Sequence, residues 1–99
     1  MRVGSRWKST VDGTEVVVVR APATDPELRC GGHLMVLAGT DADAAPLDPA
    51  FADGTQVGKR YIDEQLKLEL LCSKAGEGTL TVADRALTLK DAKPLPASD

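Results

Sequence analysis

The residues best suited to chemistry lie at a two-glycine turn, Cys-Gly-Gly-His at residues 30–33. Two consecutive glycines allow the positive φ angles of a two-residue hairpin turn, which would place Cys30 directly opposite His33. The Cβ atoms of such a pair lie about 4.5–5.5 Å apart, so the thiol and the imidazole could touch or share a metal ion. The same turn predicts that Arg29 faces Leu34.

A metal site at this turn requires ligands from elsewhere in the chain. Cys30 and His33 have the spacing of half of a zinc knuckle, and structural zinc takes four ligands. The chain offers Cys72 as a third ligand and only a carboxylate, such as Asp63 or Glu64, as a fourth, which is an atypical set for structural zinc. The sequence therefore defines a candidate site for zinc or iron at Cys30, His33 and Cys72. A thioether from Met35 would suit copper(I) better.

A thiol enzyme is the alternative chemistry for the same turn. It requires that His33 activate Cys30 and that a third group orient the imidazole, and no such group is evident. The chain carries no phosphate loop, dinucleotide fingerprint, zincin helix or nucleophile elbow. We therefore assign no catalytic residue and no cofactor-binding residue, and the sequence favours a protein that is not an enzyme.

Residues 15–37 resemble the segment of the desulforedoxin family, small iron- or zinc-binding ribbons, around its second pair of metal ligands. In that family a valine-rich strand leads through a loop to Cys-Cys-Gly-x-x-Met, and here residues 29–35 read Arg-Cys-Gly-Gly-His-Leu-Met. Only Cys30 matches a ligand position, since Arg29 replaces the adjacent cysteine and residues 9–12 lack the first pair. With three of four ligands missing, the resemblance implies a β-ribbon shape and transfers no activity.

Composition narrows the classes of partner. The chain has 99 residues, a net charge of −3 and only three aromatic residues, which argues against nucleic-acid binding. Its apolar runs are too short for a membrane span, and the N-terminus lacks the apolar region of a signal peptide. Two cysteines without signs of export indicate free thiols in the cytoplasm. We expect one β-rich domain over residues 1–92 and an extended tail over 93–99.

Hydrophobic patterning predicts an all-β fold. Residues 14–20 contain four consecutive valines, and Leu66, Leu68, Leu70 and Cys72 recur with a period of two, which places them on one face of a strand. Residues 62–90 predict a C-terminal meander of three strands. We expect six to eight short antiparallel strands in a small β-sandwich or open barrel without a long helix. A helix near residues 60–72 is the alternative, because leucine and glutamate favour helices.

The valine run predicts an assembly. Val16 and Val18 should point to one face of their strand and Val17 and Val19 to the other, so both faces require cover. A second copy of the chain would provide it, which predicts a homo-oligomer. The alternative is that Trp7 and residues 34–37 fold over the valines.

The sequence thus favours a small, cytoplasmic, non-catalytic accessory or binding module, with a protein partner as one option for its ligand. A metal-binding protein using Cys30, His33 and Cys72 is the first alternative, and a small thiol enzyme using Cys30 is the second. The acidic segment over residues 39–56 is a long loop, a feature that is often functional or mobile.

Overall fold

The computed structural model of the chain describes residues 1–90. Over these residues the fold is all-β and forms two antiparallel sheets without a long helix, which confirms the predicted class. The described residues form ten short strands, more than the six to eight predicted. The predicted tail over residues 93–99, and its boundary at residue 92, lie outside the described residues. No helix in the described part is long and apolar enough to cross a membrane.

The larger sheet has six strands in the order β10-β6-β7-β2-β1-β5. Its central strands are the two longest, β2 and β7, which carry the valine run and the alternating leucines. The strands of this sheet are β1 (Arg6–Lys8), β2 (Glu15–Arg20), β5 (Val36–Leu37), β6 (Arg60–Asp63), β7 (Leu68–Lys74) and β10 (Thr88–Leu89).

The smaller sheet has four strands in the order β4-β3-β8-β9. Its strands are β3 (Leu28–Cys30), β4 (His33–Leu34), β8 (Leu80–Val82) and β9 (Arg85–Ala86). A 3-10 helix at Pro49–Phe51 interrupts the long loop between β5 and β6. Each edge strand is two residues long in both sheets, which limits edge-to-edge pairing with other chains.

Two corners join the sheets. At Met35 the chain leaves the smaller sheet for the larger, and the N–H of Met35 still donates to Leu28 O at 2.8 Å. At Leu87 the same passage occurs, and the N–H of Leu87 donates to Leu80 O at 2.9 Å. Both corner side chains are buried, so the strands that change sheets also close the two sides of the core.

The core lies between the sheets and is mostly aliphatic. Val16 and Val18 are at most 1% exposed, and Val17 and Val19 are half-buried, so the predicted alternation is present. Trp7 lies on β1, directly opposite Val16 in the same sheet. Trp7 and β5 therefore do not form a second sheet over the valines, so the alternative is wrong for them. Of its residues, only Leu34 lies on a strand of the smaller sheet.

The strands of the predicted meander are present, but they are divided between the two sheets. Leu68, Leu70 and Cys72 are buried on one face of β7, as the alternation predicts. β7 pairs with β2 and β6, whereas β8 pairs with β3 and β9. The expected pairing of residues 66–72 with 79–82 is therefore absent.

Two buried carboxylates tie the outer strands together. Asp63 binds Arg85 through two hydrogen bonds of 3.2 and 2.8 Å, and this pairing holds the pKa of its carboxyl below its usual range. Glu69 lies on β7 and is also buried. Its carboxylate binds Lys90 and Arg60 at 3.1 and 3.0 Å, and these contacts lower its pKa.

We expect the free energy of unfolding to fall steeply on acidification. Both folded-state pKa values lie below those of the unfolded chain, about 3.9 for aspartate and 4.3 for glutamate. The stabilisation is therefore complete above those values and is lost as the pH falls through the folded-state pKa values. Urea unfolding between about pH 6 and pH 2 measures the slope.

The double variant Asp63→Asn, Glu69→Gln should flatten this slope. Glu64→Gln is the matched control, because Glu64 is exposed and forms no ion pair within residues 1–90. An equal slope in the wild type and the double variant would show that these two ion pairs do not set the acid sensitivity.

Candidate functional site

The two-glycine hairpin forms as the sequence predicts. Gly31 and Gly32 have φ angles of 64° and 90°, Cys30 pairs with His33, and Arg29 pairs with Leu34. The thiol and the imidazole are nevertheless in different environments, since Cys30 is 0% exposed and His33 is half-buried. No hydrogen bond joins these two side chains in the described structure.

The long loop covers this hairpin. The N–H of Asp48 donates to Gly31 O at 3.0 Å, and the N–H of Gly31 donates to Thr79 O at 3.1 Å. A Cβ atom on Gly32 would lie 2.8 Å from the Asp48 Cβ, so glycine is required there for space as well as for its φ angle. Residues 47–51 are therefore packed against the turn. The other residues of 39–56 are largely exposed.

Cys72 lies in the same hydrophobic core as Cys30 but on the other sheet. It is 1% exposed, and its Sγ donates to Lys74 O at 3.2 Å. Both thiols are free. Gly78 closes the space beside Cys30, because a Cβ atom on that glycine would lie 2.8 Å from the Sγ.

Burial raises the pKa of both thiols. For Cys30, nearby hydroxyls of Ser9 and Thr14 offset this only in part, and the charges of Asp12 and Cys72 raise the pKa further. For Cys72 burial is again the largest cause. Because the nucleophile and the metal ligand is the thiolate, a raised pKa keeps both groups in their inert, protonated form at neutral pH.

The carboxylate of Asp12 connects the turn before β2 to the loop between β7 and β8 through three hydrogen bonds. Its Oδ1 accepts from the N–H of Thr14 at 2.9 Å, and its Oδ2 accepts from the N–H groups of Glu77 and Gly78 at 2.8 and 2.7 Å. Burial raises the pKa of this carboxyl, but the hydrogen bonds outweigh burial and leave it lowered. No local sequence pattern predicts the last two bonds, because Glu77 and Gly78 lie 65 and 66 residues from Asp12.

Thr14 is buried beside this carboxylate. Its Oγ1 has no hydrogen-bond partner of good geometry in the described structure, yet it is close enough to lower the pKa of Asp12 and Cys30. A Cβ atom on Gly76 would overlap both Thr14 and Asp12. The loop between β7 and β8 thus packs tightly against the cluster formed by Asp12, Thr14 and Cys30. This packing leaves no room for a ligand between these three side chains.

The structure brings Cys30 and Cys72 into one core, but it does not bring His33 into a ligand set with them. Within residues 1–90 no group of three or more His, Cys, Asp or Glu side chains is placed to hold a metal ion. Met35 is a buried corner residue, and Asp63 is bound to Arg85. As placed, these residues do not fit a zinc, iron or copper site, and metal binding at Cys30, His33 and Cys72 stays a prediction.

Comparison with known proteins gives no relative. No protein-family model, no curated protein and no solved structure matches the chain. These comparisons therefore give no support to the resemblance of residues 15–37 to desulforedoxins.

Proposed function

We propose that this protein is a small, non-catalytic accessory module that binds a ligand or protein partner through its surface. The observation that carries the proposal is the position of the sulfur groups. Both thiols are at most 1% exposed, lie beneath packed backbone and have raised pKa values, so they contribute to packing. Two free, buried thiols also support a location in the reducing cytoplasm.

The surface has grooves of a size that suits small ligands. One, of about 340 Å³, lies between residues 53–56 and strand β10, and another, of about 520 Å³, lies beside the β6–β7 hairpin. Both grooves are open to solvent along one side, so they suit a small ligand that is only partly buried. A scaffold of short strands joined at two corners can hold such grooves in a fixed shape.

Thiol reactivity tests the non-catalytic role. We expect iodoacetamide at pH 7 to modify neither Cys30 nor Cys72 appreciably in the folded protein, because burial blocks access and raises both pKa values. Both should react once the chain is unfolded in urea, which is the internal control. Rapid, selective modification of Cys30 in the folded protein would instead support the thiol enzyme.

Elemental analysis of untagged protein tests the metal-binding alternative. We expect substoichiometric metal, since Cys30 and His33 lie in different environments. A stoichiometric metal that is lost in Cys30→Ala would overturn the proposal.

Binding itself is measured by screening a library of small fragments against the ¹⁵N-labelled protein. Saturable amide shifts that cluster at a groove support a binding module. Shifts that are absent, or scattered over the whole surface without saturation, would argue against one.

We also propose that the protein forms a homo-oligomer through the outer face of the larger sheet. Val17 and Val19 lie on that face and are only half-buried within one chain. Complete burial of a valine is worth about 1.5–3 kcal/mol, so a second copy would gain by covering them. Sedimentation equilibrium at micromolar concentration tests this, and a monomer mass would show that one chain suffices.

A further inference from the structure

The groove beside the β6–β7 hairpin combines positive charge with an apolar floor. It has a volume of about 520 Å³ and lies between the end of β2 and the loop that joins β6 to β7. The residues that matter for recognition are Arg20, Ala21, Ala23, Leu66 and Lys67. Arg20 and Lys67 also line a smaller recess next to this groove. These two cations therefore lie at the boundary between the groove and the recess.

Most acidic side chains near this groove form ion pairs with cations other than Arg20 and Lys67. Asp63 is bound by Arg85 at 2.8 Å, and Glu69 is bound by Arg60 at 3.0 Å and by Lys90 at 3.1 Å. These ion pairs neutralise the two buried carboxylates without using the cations that line the groove.

Arg20 and Lys67 form no ion pair within residues 1–90, and both side chains are exposed. Of the acids beside the smaller recess, only Glu64 is outside an ion pair in this part of the chain. The groove therefore carries surplus positive charge on a protein whose net charge is −3. Such a local surplus attracts an anion.

The backbone orients both cations. The pairing of β2 with β7 shifts register between Val18 and Arg20, although Arg20 lies opposite Glu69 in the ladder. A bulge of this kind redirects side chains, and the Arg20 guanidinium forms no ion pair with that glutamate. Lys67 has a φ angle of 58°, a left-handed conformation that glycine or asparagine adopts more easily. Backbone strain of this kind is common at functional sites, and here it places a lysine beside the groove.

We infer that this groove binds a small organic anion, whose carboxylate or phosphate lies between Arg20 and Lys67 and whose apolar body lies on Ala21, Ala23 and Leu66. The arginine can hold such a head group through two parallel hydrogen bonds, and the lysine adds a point charge. This inference rests on the proposed binding function and names the chemical class of its ligand.

Titration of the ¹⁵N-labelled protein tests the inference with three probes: inorganic phosphate, phenyl phosphate and hexanoate. We expect saturable amide shifts at residues 20–24 and 65–67 with at least one of the two organic anions. Inorganic phosphate should bind at least fivefold more weakly, because it lacks an apolar body. The stronger organic probe identifies the preferred head group, and its affinity should fall as sodium chloride is added.

Charge-removing variants locate the site. Arg20→Gln and Lys67→Gln should each weaken binding of the stronger probe at least fivefold. Lys59→Gln is the matched control, since Lys59 is an exposed cation outside the groove with no ion pair within the described residues. It removes the same net charge and should leave the affinity within twofold of wild type.

Lys67→Gly separates binding from folding. Glycine relieves the left-handed backbone, so this variant should unfold at a higher temperature than wild type while it loses the same affinity as Lys67→Gln. A loss of binding in a more stable protein cannot arise from damage to the fold.

Three results would overturn the inference: no saturable binding of either organic anion, equal binding of inorganic phosphate, or an affinity unchanged in Arg20→Gln and Lys67→Gln. If fragments bind saturably only at the groove near β10, this inference fails while the proposed binding function stands. If neither groove binds any probe or fragment, both fail.

Discussion

Gly78→Ala is expected to destabilise the protein by about 3 kcal/mol, at the upper end for overpacking of a core. The added Cβ would lie 2.7 Å from the Gly31 backbone nitrogen and 2.8 Å from the Cys30 Sγ. Neither neighbour can retreat easily. The Gly31 N–H is bonded to Thr79 O at 3.1 Å, and the Cys30 side chain is enclosed by the core.

Gly13→Ala is the matched control. A Cβ atom on Gly13 would meet only Ala75 O, at 4.0 Å, and Gly13 is exposed. Urea unfolding followed by circular dichroism at pH 7 measures both variants. Equal stabilities for the two would show that the hairpin and the β7–β8 loop are not in close contact.

A double-mutant cycle then isolates the contact with sulfur. Cys30→Ala removes the Sγ that the new methyl group would strike, so it should recover part of the loss in Gly78→Ala. The recovery should be incomplete, because the clash with the Gly31 backbone remains. Complete additivity of the two single changes would contradict the close approach of Gly78 to Cys30.

Local patterns predicted the parts of the fold that local geometry decides. The register at the hairpin follows from Gly31 and Gly32, because a two-residue turn leaves only one pairing for the residues on either side. The inward face of β7 follows from the period-two spacing of Leu68, Leu70 and Cys72, all of which are buried. In each case the deciding residues are neighbours in the sequence.

The division of strands between the two sheets has no local signal. Met35 and Leu87 look like ordinary core residues, and their role as corners depends on which strands lie on either side. Glu69 lies on the face of β7 opposite Leu68 and Leu70, as its position in the sequence predicts. Its ion pairs with Arg60 on β6 and with Lys90 just after β10 bury its carboxylate. Contacts between distant residues of this kind cannot be read from periodicity.

The candidate site shows the same limit. The sequence identified Cys30 and His33 as a directly opposed pair, which the structure confirms. The sequence did not show that Cys30 would be buried in the core while His33 is only half-buried. This difference depends on the loop between β5 and β6, which packs against the turn. Asp12, whose carboxylate binds the loop between β7 and β8, has no local signal of that role, because its partners Glu77 and Gly78 are distant in the sequence.

Asp12→Ala is expected to destabilise the protein by about 2–5 kcal/mol, since each buried N–H left without an acceptor costs about 1–3 kcal/mol. Two of its three donors, the N–H groups of Thr14 and Gly78, belong to buried residues, whereas Glu77 is exposed and water can replace the carboxylate there. Asp53→Ala is the matched control, because Asp53 is exposed and its carboxylate accepts no hydrogen bond within the described residues.

The pH dependence of Asp12→Asn provides a second measurement. The folded-state pKa of Asp12 is lowered, so its contribution is present above the unfolded value of about 3.9 and is lost as the pH falls through the folded-state pKa. Wild type and Asp12→Asn should therefore differ most near neutral pH and converge in acid. Hydrogen exchange at the Gly78 amide should also accelerate in the variant, because its acceptor at 2.7 Å is weakened. A variant that matches Asp53→Ala in stability and retains slow exchange at Gly78 would mean that other contacts hold the β7–β8 loop, such as the hydrogen bond of 2.9 Å that the Gly76 N–H donates to Thr55 Oγ1. In that case, the Asp12 carboxylate would not be what closes the cluster around Cys30.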